Sequence, residues 1–206
     1  VLPGSSQYEK TEATFFGGGF PDNVFQMRQP IFEPAAGTLP EPEIHSRLVE
    51  ALGGYRQEEL SELRSAAQAG LEQFGEAFRR ALEARPEWAG VAPVILYETL
   101  GQSLGEGLAP AALFWAAAQN CAARYPDSVR RAGFEGVGEG QGNELFRAIL
   151  SRPQGVVITS DPYEMSFARI ETDQGRVQLL IPELLEEFLD LAAEEPPSPD
   201  PEYPFI

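Results

Sequence analysis

Few side chains in this 206-residue chain are of a type and spacing that could do chemistry. Gly17-Gly18-Gly19 could cradle a phosphate, because consecutive glycine amides can approach an anion closely. The reading of the surrounding sequence gives it no strand leading in, no helix following and no Lys-Ser or Lys-Thr pair, so a stand-alone phosphate loop is not expected. His45 is the single histidine and Cys121 the single cysteine. One imidazole leaves almost nothing for acid–base work or ligation, and His45 reads as a surface or capping residue beside Glu41 and Arg47. One thiol forbids an internal disulfide and any multi-cysteine metal site, and Cys121, in an apolar run, reads as a small core hydrophobe. Glu186-Glu187 and Glu194-Glu195 lack apolar neighbours to raise a pKa, so they read as solvated charge rather than catalytic dyads.

The charge balance narrows the partners. Fifteen Lys and Arg against 32 Asp and Glu give a net charge of −17, a field that repels phosphate backbones, so nucleic acid is not an expected ligand. No apolar run reaches the roughly 20 residues of a membrane helix, and no membrane span is expected. A composition 43% hydrophobic and 23% charged is that of an ordinary soluble domain with a sizeable core.

The elements that must position these residues divide into stretches. Residues 1–40 carry the Gly run, five prolines and Phe15, Phe16, Phe20, Phe25 and Phe32. They read as an extended, irregular segment, poorly anchored by itself and clamped onto a neighbouring surface. Residues 41–152 read as a helical domain. Glu41-Pro42-Glu43 suits a first turn, Ile44, Leu48 and Leu52 share a face, and Gly53-Gly54 ends that helix. A long amphipathic stripe over 57–84 follows, interrupted by Gly70 and Gly75, which imply a close helix crossing. A third helix spans 88–104. The nearly all-apolar 109–125 reads as the central helix of a bundle. Short helices are expected at 127–132 and 143–150, with a glycine-rich loop over 133–142. Residues 153–193 change period: a strand at 155–159, a hairpin of 167–171 with 177–181 about Asp173-Gln174-Gly175, and a last helix from Pro182 whose inner face is Leu184, Leu185, Phe188, Leu189 and Leu191. Residues 194–206 read as an acidic, Pro-rich linker into a further strand at Tyr203-Pro204-Phe205-Ile206. The fold class is therefore mainly α, a helical bundle with a small antiparallel β element near the C-terminal end. The strand-like ends, Val1-Leu2-Pro3 among them, make a segment of a longer polypeptide the expectation.

The two flanks resemble a known family. Val1-Leu2-Pro3, Ser5-Ser6-Gln7-Tyr8-Glu9-Lys10 and Ala13-Thr14 resemble a segment of the molybdopterin oxidoreductases of the dimethyl-sulfoxide-reductase and formate-dehydrogenase type. Asn23, Arg28, Pro30, Glu33-Pro34, Glu43-Ile44, Arg47-Leu48 and Ala51-Leu52-Gly53 follow in the family's order. Asp173-Gln174-Gly175-Arg176-Val177, Pro182-Glu183-Leu184-Leu185 and Tyr203-Pro204-Phe205-Ile206 resemble the pieces that lead into its C-terminal dinucleotide-binding domain. The resemblance covers about 1–54 and 153–206. It departs at Ala13, where the family has Gly, and at the run 15–20.

The resemblance implies an internal fragment of a redox enzyme. Its molybdenum or tungsten would be held by molybdopterin guanine dinucleotide, with the metal ligand and any iron–sulfur cysteines outside this chain. No cofactor would be bound by the fragment alone, which would be inactive. Glu9, Thr14, Asn23 and Arg28 are the implied cofactor-binding positions, Arg28 because a guanidinium forks onto phosphate oxygens. Each equally suits a loop-structuring hydrogen bond. The implied partners are the other domains of the parent chain and an electron-transfer subunit of unknown kind, and the expected compartment is the cytoplasm. The competing expectation is a stand-alone acidic helical binding module, such as a redox-enzyme maturation chaperone or an adaptor.

Overall fold

The computed structural model describes residues 2–15, 19–191 and 194. The strand expected over 203–206 and most of the acidic linker lie outside these residues, as do Gly17 and Gly18. The described fold is mainly α with a small antiparallel sheet, and the chain forms two compact units, Val1–Pro162 and Tyr163–Ile206.

The sheet of the first unit draws two strands from the segment read as irregular. Strands β1 (Glu12–Phe15), β2 (Asp22–Arg28) and β3 (Val156–Ser160) run antiparallel in the order β1-β2-β3. Glu12 pairs with Arg28 and Thr14 with Gln26, while Phe25 pairs with Val156. The register slips between Asn23 and Val24, where their partners are Thr159 and Val157. Alternation along β2 turns Phe25 and Met27 into the core, 5% and 2% exposed. The expectation of a poorly anchored segment is corrected here: two inward side chains and two strand neighbours fasten β2. Phe20 and Phe32 do stay exposed. The glycine run thus falls in a β1–β2 connection: a strand does lead into it, and a strand, not a helix, follows.

The helices follow the apolar periodicity with local corrections. Helix α1 (Glu41–Ala51) begins with Pro42 and two acids in its first turn, but Leu48 and Leu52 are exposed and Ser46 is its buried residue. The stripe over 57–84 is two helices, α2 (Ser61–Ala69) and α3 (Leu71–Ala84), because Gly70 takes φ 136° and breaks the ladder. The third helical stretch holds α4 (Ala92–Leu96) and a π turn, Tyr97–Gly101. Helix α5 (Ala112–Arg124) is followed by α6 (Pro126–Arg131) and α7 (Glu139–Ser151). Helix α7 starts four residues earlier than its apolar spacing suggests, so Gly140 and Gly142 are helical rather than loop.

The core is centred on aromatic contacts. Phe74 stacks on Phe78, and both meet Trp115 edge-on, with centroids 5.2 and 5.8 Å from it. Phe25 meets Phe114 edge-on at 5.2 Å and joins sheet to helices. At the α5–α7 contact the buried Asn143 accepts hydrogen bonds from Trp115 Nε1 at 2.9 Å and Gln119 Nε2 at 2.7 Å.

The second unit holds α8 (Tyr163–Ser166), a 3₁₀ turn at Phe167–Arg169 and α9 (Pro182–Leu191). The expected hairpin of 167–171 with 177–181 is not formed. Thr172 closes a turn instead: its hydroxyl accepts from the Arg176 amide at 3.0 Å and donates to the Arg176 carbonyl at 2.6 Å. Val177 and Leu179 are 65% and 91% exposed, and a lone hairpin without a buried face gains too little to form. The five apolar residues expected to face inward on α9 are all exposed. No helix among the described residues is long and apolar enough to cross a membrane.

Candidate functional site

A large cleft of the first unit, about 670 Å³, opens between the loop before β1, the loop after β2 and the turn that follows the π helix. The two N-terminal loops are fixed on each other. Ile31 and Phe32 donate their amides to the Tyr8 carbonyl, at 2.7 and 3.2 Å. The Glu9 carboxylate accepts from the Ser6 amide at 2.6 Å and the Ala35 amide at 2.9 Å, and these donors hold its carboxyl below the usual range. Leu39 donates to Pro3, and Ser5 donates back to Leu39. Thr11 closes the third side by donating from Oγ1 to the Gly107 carbonyl at 2.7 Å.

Lys10 sits in the lining. It is the only lysine of the chain, its side chain is 9% exposed, and it is paired with Glu41 at the start of α1. That pairing holds the Glu41 carboxyl below its ordinary value. Tyr97, first residue of the π turn, is 8% exposed and forms part of the wall shared with a second cleft of about 530 Å³. Burial, then the charges of Glu43 and Glu98, push its phenol up to about 12, so it is a neutral donor at physiological pH. π turns occur mostly as single-turn features and frequently at functional sites.

The second cleft is polar. Ser46 donates to Glu98 Oε1 at 2.5 Å and bonds the Tyr55 hydroxyl at 2.8 Å. Arg64 binds the carbonyls of Glu98 and Gln57 at 3.0 and 3.1 Å. These groups satisfy one another, which is the arrangement of a structural polar network.

The four residues implied by the family resemblance do not converge. Glu9 lies in the large cleft with its carboxylate engaged by two loop amides. Thr14 is on β1 opposite Gln26. Asn23 donates across the sheet to Thr159 Oγ1 at 2.9 Å. Arg28, at the other end of β2, pairs with Glu12, and its buried Nε has no partner. Five residues of strand, about 17 Å, separate the Asn23 and Arg28 positions. As a donor set, with one spare buried N–H among them, they do not form a cradle for a dinucleotide. Among the described residues no three His, Cys, Asp or Glu side chains are grouped to hold a metal ion.

Lys10 and Tyr97 are residues of this cleft that the family resemblance does not assign. A solitary lysine in an acidic chain was a readable signal; a tyrosine on a π turn carried none. No known family model, curated protein or solved structure matches the chain.

Proposed function

We propose that this chain is an internal scaffold segment of a molybdopterin-dependent oxidoreductase, residing in the cytoplasm. Within the parent, the metal ligand and the pterin sites would come from other domains, and this segment would hold its neighbours in place. The carrying observation is the pairing of β2 with β3. The pieces that resemble the family lie at both ends of the sequence, and strands from both ends are adjacent in one sheet. The helical region 55–150 then lies, after α1, between two neighbouring strands in the sequence, as an elaboration inserted into a continuous flank would. The engagement of Glu9 by two loop amides, of Asn23 by Thr159 and of Arg28 by Glu12 favours scaffold over cofactor contact.

A second reading, a stand-alone acidic helical binding module, draws support from the exposed apolar face of α9. Metal and pterin analysis of the full-length parent, purified anaerobically, separates the two. Molybdenum or tungsten at about one per chain, with a fluorescent oxidised pterin, is the expected result. A well-folded parent free of both would overturn the proposal and favour the binding module.

A further inference from the structure

The second cleft has a fixed floor and spare polar groups above it. Ser46, Glu98 and Arg64 form the floor and bond one another. Tyr97 stands beside them, 8% exposed, and its hydroxyl makes no hydrogen bond with a described residue. That oxygen is not sealed in the core. Beyond burial, the charges acting on this phenol are those of Glu43, Glu98 and Arg47, and all three line the second cleft. A buried side chain therefore turns an unserved hydroxyl toward it, and such a group is costly to leave without a partner. Two groups of the rim are also incompletely used. Arg47, exposed on α1, gives one nitrogen to Glu43 and keeps its other N–H donors. Glu50, also exposed, makes no ion pair with a described residue. Arg47 and Glu50 are neighbours on one face of α1, about 4.5 Å apart along its axis.

We propose that this cleft binds a free α-amino acid, a zwitterion whose carboxylate and ammonium flank a single carbon. The carboxylate accepts from the Tyr97 hydroxyl and the Arg47 guanidinium, and a bond to an ionised acceptor is roughly twice as strong as a neutral one. The ammonium donates to Glu50. Neither charge alone fits as well. An anion would face Glu43, Glu50 and Glu98, with only Arg47 to answer them, because Arg64 is held by Gln57 and Glu98. A cation would meet Arg47 and offer no acceptor for the Tyr97 proton. The π turn carries Tyr97 and Glu98 into the same wall, and about 530 Å³ leaves room for a small ligand with its side chain. This inference stands independently of the redox reading.

The chain can be titrated by amide NMR with each of the common L-amino acids in turn. Saturable shifts at Arg47, Glu50, Glu98 and Gln102 are expected with at least one of them. For that amino acid, the N-acetyl derivative, which lacks the cation, and the amide, which lacks the anion, should each bind at least about tenfold more weakly. Tyr97→Phe keeps the buried ring and removes only the hydroxyl; it should weaken binding about tenfold with the fold unchanged. Glu50→Gln, at an exposed position outside the core, should weaken it by a similar factor and serves where the Tyr97 variant unfolds. Absence of saturable shifts with every amino acid would overturn the proposal. So would either blocked derivative binding as tightly as the zwitterion, or undiminished binding by a folded variant.

Discussion

Lys10 and Glu41 form an ion pair that fastens the N-terminal segment to the first turn of α1, across 31 positions of sequence. The pair is asymmetric, since the lysine side chain is 9% exposed and the glutamate 51%. Lys10→Ala removes the inner partner and leaves the outer one in water. The expected loss is about 1 kcal/mol, read from urea unfolding, because a half-exposed pair is screened. Glu41 has a lowered folded pKa, so its contribution is complete above its unfolded value of about 4.5 and fades as pH falls through the folded value. The gap between parent and variant should therefore narrow below about pH 4.5.

A second acid-sensitive contact is Glu59. Arg85 at 2.9 Å, with the Arg56 amide and guanidinium, lowers its carboxyl to about 2. Its stabilising effect is present above about 4.5 and is lost as pH falls toward 2. Glu59→Gln should flatten the acid limb of a plot of Tm against pH in that window. An acid limb identical to that of the parent would show that the carboxylate has no such linkage.

The α5–α7 contact depends on Gly142. A Cβ there would lie 2.3 Å from Gln119 Oε1 and 2.9 Å from Gln119 Cα. The side chain could turn aside; the backbone could not without moving α5. Gly142→Ala is expected to destabilise by about 2 kcal/mol, despite alanine's better helix propensity. Gly90→Ala, with nothing within 4 Å of its Cβ, provides the contrast and should stay within about 0.5 kcal/mol of the parent.

Asn143 serves two donors in the core. Replacing it with alanine leaves the Trp115 indole N–H without its acceptor and opens a small void. A loss of about 2–4 kcal/mol in urea unfolding is expected. Gln119→Ala, which removes only the partly exposed donor, should cost less.

Hydrogen exchange tests the anchoring of β2. The amides of Phe25 and Met27 should be protected as strongly as those of α5, because their side chains belong to the same core. Fast exchange there would restore the picture of a loosely held strap.

Where a pattern was local, it could be read directly. The apolar spacing of α3, the Pro-led start of α1, the β-branched run of β3 and the last helix from Pro182 follow from residues within a few positions of one another. The misreadings have a common cause. The segment 1–40 looked irregular because its strands are short and glycine separates them, and their stability comes from β3, more than 120 positions away. The hairpin over 167–181 looked sound because its turn chemistry is sound, yet Val177 and Leu179 have nothing to pack on. The start of α7 is hidden in the sequence by its glycines, of which Gly142 is required by close packing against Gln119.

The sequence by itself determined the helical class, the acidity and the poverty in imidazole and thiol. Each is a property of residue type or short-range order. Only the tertiary structure decided that the two flanks share a sheet, that the solitary lysine is enclosed by an ion pair, and that Glu33, Glu106, Phe32 and Tyr97 line one cleft. Those relations join positions more than 130 apart, such as Asn23 and Thr159, 136 positions from each other. No periodicity encodes them, because they are fixed by how apolar faces pack and not by the order in which residues are strung.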